Sequence, residues 1–238
     1  MKVLVIPDVH LKPYMFQHAA ALMHQKIADR VVCLMDLADD WGKEYDVSLY
    51  EETYDEAIKF AIKFPDTAWC FGNHDLSYYW HQLETGYSSM ASYTVQKKLL
   101  DLRAAVPENN PIQYVQRIDN VLFSHAGVLN DFVEGYVPKV KYDDVDAVVE
   151  EINKLGRTEM WNDASPIWLR PQYSKMKLYK PRKVLQVVGH TPVEGISRTG
   201  NLISCDVFST RSDGSPIGTE EYLLLDTLTW EFCGVKTT

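Results

Sequence analysis

The chain has 238 residues, of which 46% are hydrophobic, enough to bury one sizeable core. Its formal net charge is −9 and no Lys/Arg run forms a basic stripe, which argues against nucleic-acid binding and means that an anionic substrate needs bound cations. The four cysteines are widely spaced, unlike those of a zinc knuckle or a secreted disulfide scaffold, and predict a cytoplasmic protein with reduced thiols. No apolar run is long enough to span a membrane and no linker divides the sequence, so we expect one domain over residues 1–238.

The first half of the chain predicts alternating strands and helices. Short runs rich in Val, Ile and Leu predict buried strands over residues 2–7, 30–35 and 67–71. Between them, apolar residues at helical spacing predict helices over residues 14–28 and 51–64. This βαβαβ order is typical of a largely parallel sheet with helices outside it.

The second half is richer in predicted strands. Residues 76–93 are dense in aromatic and short polar side chains without a helical or strand period, and predict a loop or lid. Residues 112–116 and 121–124 predict a hairpin around Asp119-Asn120. Helices are predicted over residues 92–103 and 143–155, and further strands over residues 184–188, 202–205, 222–226 and 229–233.

Polar side chains follow five of the predicted strands directly. These residues are Asp8 and His10, Asp36, Asn73 and His74, His125, and His190. Because the carboxyl ends of adjacent parallel strands converge on one crevice, we expect these side chains to lie close together. A set of carboxylates, imidazoles and an amide suits divalent cations such as Mn²⁺, Fe, Zn²⁺ or Mg²⁺ rather than a thiolate site.

The order of these motifs, from D-x-H through G-N-H-D to a strand-end His and G-H-T, resembles that of the calcineurin-like metallophosphoesterases. The resemblance covers Asp8 to about His190 and is greatest to the serine/threonine-phosphatase and diadenosine-tetraphosphatase branch. It implies an α/β fold, a four-layer αββα sandwich of two mixed β-sheets flanked by helices, and two divalent metal ions, with Mn²⁺ favoured. By motif position, the metal ligands are Asp8 and His10 for the first ion, Asp36 as the bridge, and Asn73, His125 and His190 for the second.

The same resemblance implies a mechanism in which a metal-bridging hydroxide attacks phosphorus. His74 then protonates the leaving-group oxygen, a task that needs an acid with a pKa near 7. Asp39 matches the second aspartate of the family motif and is similar to an orienting partner that keeps His74 protonated. The alternative for Asp39 is a helix N-cap.

Two residues depart from the family motif G-D-x-x-D-R-G, since Met35 replaces its first glycine and Asp40 replaces its phosphate-binding arginine. A carboxylate at position 40 repels phosphate, although it is able to bind another cation or a basic part of a substrate. We therefore do not expect an ordinary protein phosphatase. Arg170, in a Trp-rich segment, is the candidate replacement for substrate binding, and the alternative for it is a surface ion pair.

The function expected from these residues is hydrolysis of phosphate monoesters, with a phosphorylated small molecule, nucleotide or phosphopeptide as substrate. A phosphodiesterase or nucleotide pyrophosphohydrolase would use the same metal core. A third alternative, of another class, is a non-catalytic metal-binding interaction module. Neither a membrane nor a nucleic acid is an expected partner.

Overall fold

The computed structural model describes residues 1–173, 176–179 and 183–237. Within these ranges the strands are β1 (Lys2–Ile6), β2 (Arg30–Cys33), β3 (Ala68–Trp69), β4 (Val115–Ile118), β5 (Val121–Ser124), β6 (Leu185–Val188), β7 (Ser197–Thr199), β8 (Leu202–Ser204), β9 (Tyr222–Asp226) and β10 (Phe232–Val235). The helices are α1 (Tyr14–His24), α2 (Val47–Lys63), α3 (Asn73–Trp80), α4 (Ser92–Ala105), α5 (Asn130–Tyr136), α6 (Val145–Ile152) and α7 (Arg157–Met160). No helix in the described ranges is long and apolar enough to cross a membrane.

The strands form two five-stranded sheets, ordered β10-β9-β1-β2-β3 and β4-β5-β6-β8-β7. In the first sheet β1, β2 and β3 are parallel, and β9 and β10 complete it in antiparallel pairs. In the second sheet β5, β6 and β8 are parallel, and β4 and β7 pair antiparallel at its edges. Both sheets are therefore mixed, and the predicted βαβαβ start is confirmed.

The alternation of side chains along each strand builds the layers. Val3 and Val5 on one face of β1 share a buried cluster with Phe123 of β5, so the two sheets pack face to face. Leu4 and Ile6 point to the other face and join the cluster that contains the buried residues of α1. Helix α6 packs on β4 of the second sheet in the same way. This arrangement is the four-layer αββα sandwich that the resemblance implied.

The prediction of a loop over residues 76–93 is wrong for its first part, because α3 continues to Trp80. The helix buries the polar side chains of Asp75 and Ser77 as well as Leu76 and Tyr78, so no apolar stripe marks it in the sequence. Its C-cap is His81, which has a left-handed backbone with a φ of 54°. The irregular segment is therefore shorter than predicted and follows α3.

The hairpin around Asp119-Asn120 forms as predicted, but its first strand begins at Val115 rather than at residue 112. The chain at Gln113 instead makes backbone hydrogen bonds with Trp69 of β3 and with Phe71 just after that strand. Besides α3, three elements escaped the sequence analysis, namely α5, α7 and β7. They are short, and all three residues of β7 are exposed, so none carries a recognisable apolar period.

Candidate metal centre

The ends of five strands meet at one edge of the sandwich and bring all six predicted metal ligands together. The imidazole of His125 lies at the middle of this cluster: its Nε2 is 3.0 Å from Asp36 Oδ2, 2.9 Å from Asn73 Oδ1, 3.1 Å from His190 Nδ1 and 3.9 Å from Asp8 Oδ2. The ligand atoms fall into two groups, Asp36 with His125 and His190, and Asp8 with His10 and Asp36. Asp36 belongs to both groups, as a bridging ligand would.

The three histidines of the cluster share one arrangement. Each directs one ring nitrogen to a backbone carbonyl: His10 Nδ1 to Asp39, His125 Nδ1 to Leu34, and His190 Nε2 to Trp168. That contact fixes the proton on the outer nitrogen and turns the other nitrogen, with its lone pair, toward the cluster. Backbone carbonyls are the usual outer partners of metal-binding histidines.

The ligand atoms around His125 fit a cation. The lone pairs of His125 Nε2 and His190 Nδ1 meet the acceptor atoms Asn73 Oδ1 and Asp36 Oδ2 within about one hydrogen-bond length. Four acceptors converging in a buried site repel one another unless a proton or a metal ion lies among them. In the first group, Asp8 Oδ1 is buried without a hydrogen-bond partner, as an oxygen reserved for a cation would be.

Charge effects on the pKa values agree with this demand for positive charge. Burial lowers the pKa of His125, but the carboxylates of Asp36 and Asp8 outweigh burial and raise it to about 9. Burial raises the pKa of Asp36, yet the surrounding imidazoles bring it well below its usual range. The pKa of His190 is lowered by burial and by the charge of His125.

The backbone around the cluster is strained. His10, Asp36 and His190 all have left-handed φ angles, of 42°, 43° and 61°, and so do Met35 and Asp39 at 57° and 64°. Residues other than glycine seldom adopt this region, and such strain concentrates at functional sites. The motif glycine that Met35 replaces would have met this backbone without strain.

Two glycines let carboxylates approach the backbone. A Cβ at Gly72 would lie 1.9 Å from Asp36 Oδ1, and one at Gly189 would lie 1.8 Å from Asp8 Oδ1. We expect Gly72→Ala to lower the free energy of unfolding by about 1 to 3 kcal/mol, because the Asp36 side chain or the turn after β2 must move. Urea denaturation measures this difference.

Gly135→Ala is the matched control, because a Cβ at that helical position meets no atom within 4 Å. It is expected to leave stability unchanged or to raise it by about 0.5 to 1 kcal/mol. Equal unfolding midpoints for the two variants would contradict the steric argument.

His74 and Asp39 lie beside the six predicted metal ligands and contact each other. His74 Nδ1 is 2.8 Å from Asp39 Oδ2, and the hydroxyls of Tyr50 and Tyr78 donate to Asp39 Oδ1 at 2.8 and 2.5 Å. The N-cap of the nearby helix α2 is Asp46, whose side chain accepts from Leu49 N, so the cap that was the alternative for Asp39 is a different residue. Burial lowers the pKa of His74, but the charges of Asp36, Asp39 and Glu84 raise it to about 10.

Asp40 is paired within the protein rather than left as an isolated charge. Its Oδ2 lies 3.0 Å from Lys12 Nζ, and its Oδ1 accepts hydrogen bonds from Thr210 and from the Trp41 backbone. Burial raises the pKa of Asp40, but Lys12 and these hydrogen bonds bring it below its ordinary value. The repulsion of phosphate expected at position 40 is thus largely balanced by Lys12.

Arg170 lies next to His190, at the margin of the predicted metal ligands. Its Nη1 donates to the His190 carbonyl at 2.8 Å and lies 3.3 Å from Thr191 Oγ1. The carboxylates in the described ranges form no ion pair with it, although a surface pair was the alternative at this position. Its guanidinium lines the same cavity as His10, Asp36 and His190.

That cavity has a volume of about 690 Å³ and is lined in part by the predicted metal ligands. His74, Asp39 and Arg170 line it, and Trp41 and Tyr87 supply aromatic surface. Pockets of roughly 300 to 1,000 Å³ are typical of small-molecule sites. The cavity is therefore large enough for a nucleotide-sized ligand.

Two residues near the cluster were not identified from the sequence. Asp206 follows β8, lines the cavity and is buried with Oδ2 unpartnered, so the rule of polar residues after buried strands would have found it. Glu84 accepts a hydrogen bond from Asn73 Nδ2 at 2.9 Å and lies in the irregular segment after α3. No local signal marks Glu84, because its contact depends on the path of that segment.

Two mixed sheets packed face to face, with carboxylates and imidazoles gathered where parallel strands end, define an αββα protein with a candidate two-metal centre. The sequence model of the calcineurin-like phosphoesterases matches residues 1–217. The chain therefore belongs to the calcineurin-like phosphoesterase family, as the order of its motifs predicted. No curated protein sequence matches it at a significant level.

Solved structures resemble the fold at low sequence identity. A protein serine/threonine phosphatase from Saccharomyces cerevisiae has a TM-score of 0.55 and 11% identity, over 100% of this chain and 80% of that chain. A hypothetical protein from Pyrococcus horikoshii has a TM-score of 0.51 and 14% identity, over 99% of this chain and 87% of that one. At these identities the likeness shows a shared fold alone.

Proposed function

We propose that this protein is a metal-dependent phosphatase that hydrolyses phosphate monoesters of small molecules. The observation that carries the proposal is the convergence of four acceptor atoms from Asp36, Asn73, His125 and His190 in a buried site. Together with family membership, that donor set supports two divalent cations, the first held by Asp8, His10 and Asp36 and the second by Asp36, Asn73, His125 and His190. Mn²⁺ is the ion we expect, because the ligands are oxygens and imidazoles without a thiolate.

When bound, the two ions would supply Lewis acidity toward the phosphate oxygens and lower the pKa of water at the site. The protein supplies the proton. His74, held through Nδ1 by Asp39, presents its other nitrogen to the cavity and donates a proton to the leaving-group oxygen. Tyr50 and Tyr78 fix the Asp39 carboxylate, so the imidazole keeps its orientation as the proton leaves.

Substrate binding is assigned to Arg170. Since the His190 carbonyl already anchors one guanidinium nitrogen, the side chain is held over the cavity with further donors for phosphate. Arg170→Ala is expected to raise KM by about 10- to 100-fold, the equivalent of a lost hydrogen bond to a charged group, without changing metal content. Steady-state kinetics and metal analysis by mass spectrometry provide the measurement.

Arg170→Lys is the matched variant for this prediction. Lysine keeps the charge but loses the planar fork, so its KM is expected to fall between those of the wild type and the alanine variant. An unchanged KM in Arg170→Ala would remove Arg170 from the substrate site.

The proposed activity is tested with the Mn²⁺-loaded protein on p-nitrophenyl phosphate, bis-p-nitrophenyl phosphate and dinucleoside polyphosphates. We expect the highest kcat/KM on a monoester. Activity on the diester alone would show that the protein is a phosphodiesterase. A protein that holds both metals and is inert on every phosphate ester would instead be the interaction module.

A further inference from the structure

We infer that Glu84 is a positioning residue that holds the Asn73 amide with its oxygen toward the second metal and ties that ligand to the acid His74. The inference rests on the proposed function, in which Asn73 is a ligand and His74 the acid. Glu84 lies outside every motif, four residues after the end of α3. Its side chain is only 8% exposed although it is a carboxylate, so a specific partner must stabilise it.

The contact with Asn73 determines which way the amide faces. Glu84 Oε2 accepts from Asn73 Nδ2 at 2.9 Å, and on the other side Asn73 Oδ1 lies 2.9 Å from His125 Nε2. An amide can present either its oxygen or its NH₂ group, and only the oxygen can bind a metal. The two sides of the amide thus have different partners.

The amide would turn over only if its NH₂ group found a partner on the cluster side as good as the one it has outside. On the cluster side Asn73 meets His125 Nε2 at 2.9 Å, and that nitrogen already has Asp36 Oδ2 at 3.0 Å. A buried carboxylate on the far side offers the NH₂ group a charge-assisted bond instead. Glu84 therefore preorganises the oxygen for the cation before the cation binds.

The same carboxylate reaches the acid. Glu84 Oε1 lies 3.5 Å from His74 Nδ1 and has no hydrogen-bond partner of its own. Asp39 already takes the closer contact with Nδ1, so Glu84 adds negative charge without replacing that bond. With Asp39 and Glu84 both beside Nδ1 of His74, the Nε2 atom of the same ring is left for the substrate.

The backbone near Glu84 holds it against this pair. A Cβ at Gly86 would lie 3.4 Å from Asp39 Cβ and 3.6 Å from His74 Cε1, so the segment packs directly on both residues. The next residue, Tyr87, stacks on Tyr78 with ring centroids 4.3 Å apart and lines the cavity. The cavity wall and the second-metal ligand are therefore joined through Glu84.

The test measures Mn²⁺ binding to metal-free protein by titration calorimetry, so its readout does not depend on activity. Glu84→Ala is expected to weaken the second Mn²⁺ by about 10- to 100-fold, the usual effect of losing an outer partner, and to leave the first Mn²⁺ unchanged. Glu84→Gln keeps a carbonyl that accepts from Asn73 Nδ2, so it should restore second-site affinity to within a few-fold of the wild type. This rescue separates a positioning role from the loss of a direct ligand.

Glu44→Gln is the matched control, because Glu44 lines the same cavity and no hydrogen bond in the described ranges joins it to Asn73 or His74. We expect it to bind the second Mn²⁺ as the wild type does. Equal second-site affinities in Glu84→Ala and the wild type would overturn the inference, as would a Glu84→Gln variant no better than Glu84→Ala. A wild-type protein that binds no second Mn²⁺ would overturn the proposed function instead.

Discussion

Replacing His125 with alanine is expected to remove the second metal and reduce turnover by more than about 100-fold, since loss of an outer partner alone costs 10- to 100-fold. The imidazole is fully buried and touches Asp36, Asn73 and His190 through the same nitrogen. Metal analysis should find one Mn²⁺ per chain in place of two, and kinetics on p-nitrophenyl phosphate should show the loss in kcat.

Two comparisons make that result specific. His18→Ala removes an exposed histidine of α1 whose ring contacts Tyr14, and should change neither metal content nor turnover. Asn73→Ala removes a different proposed ligand of the same ion and should lose the second metal as His125→Ala does. Thermal unfolding with and without a chelator shows whether each variant is folded. A folded His125→Ala protein with two metals and normal turnover would refute the ligand assignment.

The convergence of the six proposed metal ligands was predictable because the signal for their positions is local. A buried strand is recognised by its apolar run, and the polar residue after it is read directly from the sequence, as at Asp8, Asp36 and His125. Parallel pairing then gathers those residues at one edge. The same rule applied to β8 reaches Asp206, which shows that the signal extended beyond the motifs of the family.

The surroundings of the site were not predictable, since they depend on contacts distant in sequence. Lys12 neutralises Asp40 across 28 residues, and Glu84 reaches Asn73 across 11 residues through an irregular segment. The left-handed backbone at Asp36 leaves no mark in the sequence, because only the packed structure makes that conformation acceptable to a residue other than glycine. Helix α3 was missed for a related reason, as its buried polar side chains serve the site.

The largest effect expected without loss of metal is that of His74→Ala. The variant should keep both ions, because the only bond from residue 74 to a ligand in the described ranges is its backbone N–H to Asp36 Oδ1, which alanine retains. Turnover of an alkyl phosphate should fall by about 10²- to 10⁴-fold, the range for a positioned general acid. Hydrolysis of p-nitrophenyl phosphate should fall much less, because nitrophenolate leaves readily without a proton. Equal losses on both substrates would argue against His74 as the acid.

The pH dependence of kcat tests which groups keep His74 protonated. In the protein without metal, nearby carboxylates raise the pKa of His74 to about 10, and its proton is present below that pKa and lost as the pH rises through it. Bound metals would neutralise Asp36, leaving Asp39 and Glu84 as the charges that retain the proton. Asp39→Asn should therefore move the alkaline limb of kcat to lower pH, with metal content unchanged. An alkaline limb that stays in place would mean that Asp39 does not set the protonation of His74, and that the Tyr50 and Tyr78 hydroxyls hold it for a structural purpose alone.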